Sequence, residues 1–273
     1  KRNKIPVVLE IHDVEAVLRE SLGRNREVDL MEFLQFTAGQ KAEALVVFTP
    51  TDRDLLVNKI GVPEHKIYLA PIAVGKEYPY NGINSEKNIL LFLGNIFYPP
   101  NREAVVFLID KVLPLVKKKI SNVKIKVVGG APLDLLKKYQ ARQDVFFTGE
   151  IRDLKRFNKE LGDCTLGLCT VFSGSGMKVK ILNYCASGLP VIATPIGLSG
   201  YEKIKSLIRV EPNAPSIAKA VIGLLNNKKR AVGLGRENRR MIFEELSWEK
   251  TAKEMARVYS SLVDFPQRYI EIP

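Results

Sequence analysis

Sulfur, imidazole and long apolar runs are all scarce in this chain of 273 residues. Its three cysteines, Cys164, Cys169 and Cys185, form no CxxC pair and no metal-ligand spacing, so neither a disulfide framework nor a zinc module is expected. Reduced thiols in the core of a cytoplasmic protein fit that usage. No apolar run approaches the ~20 residues that span a bilayer, and no signal peptide is visible. Zinc-finger spacing, a basic zipper and RNA-binding aromatic motifs are all lacking, so no nucleic-acid partner is expected. The chain begins at Lys1 rather than Met and almost at once enters a strand of buried type, as a fragment of a longer protein would.

Acidic residues are the minority, and the net charge is +12. Residues 1–82 are close to neutral, with 11 Lys/Arg against 12 Asp/Glu. The remainder carries 31 against 18. A basic C-terminal part attracts nucleotides or anionic headgroups. Runs such as Lys117-Lys118-Lys119 and Lys228-Lys229-Arg230 read equally well as solvated surface.

What is present is an alternation of strand-type and helix-type segments, which predicts α/β architecture with parallel sheets. Strands are expected at Ile5–Ile11, Ala44–Phe48 and Ile67–Val74, with helices between them. Thr51-Asp52-Arg53-Asp54 reads as a capping box with Thr51 as the cap. The polar, turn-rich stretch Gly75 to Lys87 reads as a linker between domains. A fresh series of strands follows at Ile89–Leu93, Val123–Val128, Val145–Thr148, Thr165–Val171, Leu189–Ala193 and Leu207–Val210. A last helix runs from Ser247 to about Asp264, with Ala252, Met255, Ala256 and Tyr259 as its packing positions.

The most informative stretch is Ser173-Gly174-Ser175-Gly176-Met177-Lys178-Val179-Lys180 and the apolar helix and strand that follow it, to Pro195. A small-residue loop opening a helix exposes unpaired amides at the positive end of the helix dipole, an arrangement that binds phosphate. Lys178 and Lys180 in the first turn oppose that dipole unless an anion is present.

This segment resembles the donor-binding segment of the group 1 (family 4) retaining glycosyltransferases, which have the GT-B fold. The likeness extends from Val7 to about Val263. Further matching strings are Val46-Val47-Phe48-Thr49-Pro50-Thr51-Asp52, Gly61-Val62-Pro63-Glu64-His65-Lys66-Ile67, and Phe92-Leu93-Gly94-Asn95 with Tyr98-Pro99-Pro100-Asn101. The resemblance implies two Rossmann-like domains with parallel sheets, the N-terminal one incomplete. Residues 1–82 would be its remaining part, 83–246 the nucleotide-sugar domain, and 247–273 a helix crossing back to the first domain.

The resemblance also implies a chemistry: transfer of a sugar, with retention, from a nucleotide-diphosphate sugar to an acceptor hydroxyl. No metal is required if cationic side chains and helix N-termini carry the diphosphate. His12, at the end of a strand, matches a His near the transferring bond. Asp13 reads either as its orienting partner or as a helix cap. Lys180, with Lys178 beside it, falls where a Lys faces the diphosphate. Gly174, Ser175, Gly176 and Met177 would offer amides to the donor, and Gly149 and Ile151 would hold the base through main-chain contacts. Gly94 and Asn95 belong to the same donor site.

The chain departs from the family in two ways: the Arg and Lys that often follow the first strand of the second domain are absent, Gly94 being followed by Asn95, and the Glu pair is changed. A pair of Glu residues eight apart is replaced by Ser175 and Asn183. Asn still donates and accepts hydrogen bonds, but without charge. The alternative is therefore a catalytically degenerate relative acting as a binding or scaffold protein. A glycan or lipid-linked acceptor, and peripheral contact with the inner membrane surface, are compatible with the enzyme.

Overall fold

The run Ala44-Leu45-Val46-Val47 is buried at every position, as the central strand of a parallel sheet must be. In the computed structural model, which describes residues 5–75 and 78–262, it forms β2 (Ala44–Val47). β1 (Val8–Ile11) and β3 (Ile67–Leu69) flank it in a three-stranded parallel sheet. Leu45 and Val47 point to one face, where they meet Val14, Ala16, Leu56 and Val62. Helices α1 (Glu15–Ser21), α2 (Val28–Lys41) and α3 (Pro50–Leu55) belong to this part of the chain. The cap of α3 lies two residues before the expected Thr51. Thr49 accepts the Asp52 N–H at 2.9 Å and returns its hydroxyl to Asp52 Oδ2 at 2.6 Å. Pro50 takes the first helical position, where a missing N–H costs nothing.

A second parallel sheet has the order β6-β5-β4-β7-β8-β9. Its strands are β4 (Ile89–Leu93), β5 (Lys124–Val128), β6 (Val145–Phe147), β7 (Leu166–Cys169), β8 (Val191–Ala193) and β9 (Ile208–Arg209). The chain starts at the centre, winds outward through β6, then crosses back to β7 and winds the other way. This is the doubly wound nucleotide-fold order, with its reversal between β4 and β7. The helices are α4 (Pro99–Phe107), α5 (Leu113–Lys117), α6 (Leu133–Tyr139), α7 (Leu154–Gly162), α8 (Val179–Ser187), α9 (Ala214–Leu225) and α10 (Lys228–Glu245).

β4 and β7 pair only through Leu90–Leu166 and Leu91–Gly167, then diverge. The fully buried Tyr184 of α8 fills the gap. Its hydroxyl accepts the Leu93 N–H at 2.7 Å and donates to Leu168 O at 3.3 Å. Only glycine leaves room for its ring: a Cβ at Gly167 would lie 2.5 Å from it.

By their contacts, residues 5–73, 174–177 and 246–262 form one compact unit, and 74–173 with 178–245 the other. The expected linker 75–87 is therefore not a free connection, and the boundary falls nine residues before the expected 82/83. Asn81 and Gly82 both donate to Ser187 O, at 3.2 and 2.9 Å, and Asn84 N–H donates to Cys164 O at 2.9 Å. Polar, turn-rich composition marked an irregular strap, tied down within the second unit by the amides of Asn81, Gly82 and Asn84.

The last helix, α11 (Trp248–Leu262), packs within the first unit, on the sheet face opposite α1. There Val258, Met255 and Leu262 meet Ala44, Val46 and Ala70. Thr251 Oγ1 donates to Pro71 O at 2.8 Å. The packing stripe is thus 251, 255, 258 and 262, rotated from the expected one; Ala252 and Tyr259 are exposed. The expected end at Asp264 lies outside the described residues. All three cysteines are buried free thiols.

Gly167→Ala is expected to destabilise the protein by about 1–3 kcal/mol through overpacking against Tyr184. Urea denaturation should show a lower midpoint with an unchanged slope.

Candidate functional site

In an open α/β sheet, ligands bind beyond the carboxyl ends of the strands where the winding reverses. In the second unit that point lies after β4 and β7. The chain leaving β4 carries Gly94 and Asn95, and the chain leaving β7 leads to the N-terminus of α8. Two of the expected donor groups are therefore brought together by topology.

Lys180 is the group with the most at stake here. It lies in the first turn of α8 and is 9% exposed. Its Nζ donates to Asn101 Oδ1 at 2.6 Å and lies 4.1 Å from the centre of the Phe92 ring. Asn101 in turn donates to Asn95 O at 2.9 Å. Among the described residues no carboxylate pairs with Lys180. Burial pushes its pKa down from 10.5 to about 8. An ammonium ion held by an amide and a ring, at the positive end of a helix, is short of negative charge.

A Cβ on Gly94 would lie 3.3 Å from Lys180 Nζ, so glycine there leaves space beside the ammonium. Gly94, Gly129 and Gly149 end the adjacent strands β4, β5 and β6. Gly129 N–H donates to Gly149 O at 3.1 Å, and Gly94 N–H donates to Val128 O at 2.9 Å. Gly129 has φ +136°, and a Cβ on it would overlap Gly94 O. Asn95 serves as a turn former: its Oδ1 accepts the Phe97 N–H at 3.0 Å. Ile151 lies half-buried in the loop before α7, whose cap is Asp153. Asn183, one turn along α8 from Lys180, accepts the Tyr78 hydroxyl at 3.0 Å. Lys178 is the residue preceding α8, and its carbonyl accepts the Tyr201 hydroxyl at 2.9 Å.

The other expected residues belong to the first unit. His12 follows β1 with a side chain 70% exposed. Its Nε2 lies 4.0 Å from Glu10 Oε2, and its ring packs 4.8 Å from that of Phe48. An open pocket of about 440 Å³ along β1 and α2 includes His12, Asp13 and Gln35 in its lining. Asp13 does not cap α1, whose cap residue is Val14. Gln35 takes over, accepting the Ala16 N–H at 3.2 Å and donating to Asp13 O at 3.4 Å.

The loop 174–177 groups with these residues. Gly174 N–H donates to Ser21 Oγ at 3.1 Å, and Ser175 Oγ donates to Asp13 Oδ1 at 3.0 Å. A Cβ on Gly176 would overlap His12 O. Met177 is buried. The Gly174 amide thus has a partner within the chain, whereas it was expected, with the amides of Ser175, Gly176 and Met177, to be offered to a donor; the Ser175 hydroxyl is also engaged.

Sequence reasoning missed Asn101, Tyr184, Phe92 and Tyr78 as parts of the site. Asn101 and Phe92 were visible only as members of the Tyr98-Pro99-Pro100-Asn101 and Phe92-Leu93-Gly94-Asn95 strings, and Tyr184 only as part of the helix after the small-residue loop.

A family model described as glycosyl transferases group 1 matches residues 87–227. A glycosyltransferase of Methanocaldococcus jannaschii is 22% identical over 224 residues, covering 78% of this chain and 54% of the relative. Sucrose-phosphate synthase of Thermosynechococcus elongatus superposes with a TM-score of 0.78 at 18% identity, over 96% of this chain and 69% of that one. HepE of Anabaena, solved with UDP and glucose, gives 0.74 at 12% identity, over 94% and 72%. The chain spans about half the length of the curated relatives it matches.

Lys180 makes stability depend on pH. Its folded pKa lies below the unfolded value, so between about pH 8 and 10.5 the unfolded chain holds the extra proton. Stability therefore carries the full penalty below pH 8 and rises with pH through that window. Lys180→Met is expected to stabilise the ligand-free protein at pH 7, by on the order of 3 kcal/mol, and to remove this rise. Urea denaturation at pH 7 and at pH 10 checks both.

Proposed function

The chain belongs to the group 1 glycosyl transferases, with a fold of the GT-B type, and from that premise we propose that it transfers a sugar from a nucleotide-diphosphate sugar to an acceptor hydroxyl with retention of configuration. The observation that carries the reading is Lys180: a buried ammonium with no carboxylate partner among the described residues, at the N-terminus of α8 and at the reversal of the sheet.

In this reading the diphosphate docks on Lys180 and the first-turn amides of α8. The anion raises the Lys180 pKa again and replaces the missing counter-charge. The base lies over the glycine floor of Gly94, Gly129 and Gly149, with Ile151 beside it, and Asn183 meets the ribose. The bond from the anomeric carbon to the diphosphate breaks as the bond to the acceptor oxygen forms. The acceptor proton leaves with the nucleoside diphosphate. Charge on the departing diphosphate is what the preorganised cation and amides stabilise. His12, exposed at the carboxyl end of β1, contributes hydrogen bonding and electrostatics at the transferring sugar. HepE, crystallised with UDP and glucose, makes a uridine nucleotide the first donor to test. Glycan and lipid-linked acceptors are the corresponding second substrates. No helix among the described residues is long and apolar enough to cross a membrane.

A second reading has one observation in its favour. Neither Ser175 nor Asn183 supplies a carboxylate, and both are engaged within the chain, by Asp13 and Tyr78. It is a relative that binds the nucleotide but does not turn it over.

Calorimetric titration with UDP, GDP and ADP is expected to show selective binding of one nucleotide. Lys180→Ala should weaken it at least tenfold, since a hydrogen bond to a charged group contributes about 1.5–3 kcal/mol. Affinity should hold below pH 7 and fall as pH rises through about 8, as Lys180 loses its proton. Turnover of the matching sugar nucleotide with an acceptor panel then separates the two readings. No binding of any nucleotide overturns both.

A further inference from the structure

Asn183 is not a loosely placed side chain. Its Oδ1 accepts the Tyr78 hydroxyl at 3.0 Å, and its Nδ2 donates to Val179 O at 3.4 Å. These two contacts fix which way the amide points. Tyr78 O accepts the Arg239 guanidinium of α10 at 2.8 Å. The same guanidinium donates to Ala186 O in α8 and stacks over Tyr80 and Phe243. Gly82 and Asn81 tie the next part of the strap to Ser187 O. The phenol of Tyr78 is therefore delivered to Asn183 by backbone that is held at Tyr78 itself and again at Asn81 and Gly82. Burial raises its pKa, so it remains an O–H donor.

An amide has two donor N–H groups and two acceptor lone pairs. With Tyr78 and Val179 served, Asn183 keeps one N–H and one lone pair. A vicinal diol takes that combination, one hydroxyl accepting and the other donating. Asn183 is three residues after Lys180, so the two side chains are neighbours on the helix surface. A diphosphate on Lys180 brings its attached sugar to Asn183.

We propose that Tyr78 is a positioning residue for donor recognition: its hydroxyl orients the Asn183 amide so that the amide reads the ribose diol of a nucleoside diphosphate. The inference rests on the donor-site reading above and adds to it a residue from outside the sheet-edge loops. It also gives the uncharged Asn183 a role of its own. Orientation by Tyr78 lowers the entropy lost when the amide binds, which partly offsets the charge that a carboxylate would bring.

The test is titration of the wild type, Tyr78→Phe, Asn183→Ala and the double variant. The probes are UDP (or whichever nucleoside diphosphate the wild type selects), its 2′-deoxy counterpart and inorganic pyrophosphate. Tyr78→Phe is expected to weaken the nucleoside diphosphate roughly three- to tenfold and to leave pyrophosphate unchanged. The 2′-deoxy compound should bind the wild type and Tyr78→Phe alike. In the Asn183→Ala background the Tyr78 substitution should cost nothing further. Unchanged affinity for the nucleoside diphosphate in Tyr78→Phe overturns the proposal while the donor site stands. Equal weakening of pyrophosphate also overturns it, because the hydroxyl then acts through the fold. A wild type that binds no nucleoside diphosphate overturns the donor-site reading and this inference with it.

Discussion

The hydroxyl of Tyr184 sits where β4 and β7 part, and the arrangement of the second unit hangs on it. Two strands that wind away from each other leave backbone groups without a ladder partner, here Leu93 N–H and Leu168 O. One phenol serves both. Because Tyr184 is in α8, the same contact sets how α8 stands against the sheet edge. Everything presented by the first turn of α8 inherits that placement. Gly167 is the other half of the constraint, since the ring occupies the volume of a missing side chain.

Lys180 shows what the placement is for. A protein that only had to be stable would not bury an ammonium against Phe92 with an amide as its nearest partner. Asn101 is itself held by the carbonyl of Asn95, so cation, amide and turn form one connected set. The neighbouring floor of glycines leaves main chain where side chains would stand. On the proposed reading, the helix N-terminus and the desolvated cation receive the diphosphate, and the glycines leave room for a flat base. The first unit places His12 at the end of its own parallel strand, by the same logic of strand ends.

Much of this was legible from residue order. Apolar runs of buried type located the strands, and in most of them only the ends differed. β3, expected to run to Val74, stops at Leu69. Its strand character at Ala70–Val74 came from apolar composition alone; Ala70 N–H still donates to Val47 O at 3.0 Å, but the strand itself ends at Leu69. The small-residue loop and Lys180 were visible because phosphate-binding geometry leaves a local signature; Asn183 came only from the resemblance, as the place of a replaced Glu. Thr51 was chosen as a cap because the capping-box pattern fits it; the pattern does not weigh the proline that makes Thr49 the better start. The stripe on α11 was misplaced for a similar reason: Ala252 and Tyr259 are apolar enough to qualify, but Thr251 and Val258 face the sheet.

By itself the sequence determined which segments are strands and that they run parallel, and it singled out the short stretch on which the proposed anion site rests. These follow from hydropathy period and turn residues, both local properties. Only the tertiary structure decided that Lys180 has lost its solvent, that Tyr184 bridges two diverging strands, and that Tyr78 reaches Asn183 from 105 residues away. Burial and long-range partnership are properties of the packed chain. A lysine, a tyrosine and an asparagine carry no mark in the sequence that distinguishes a solvated helix face from a site.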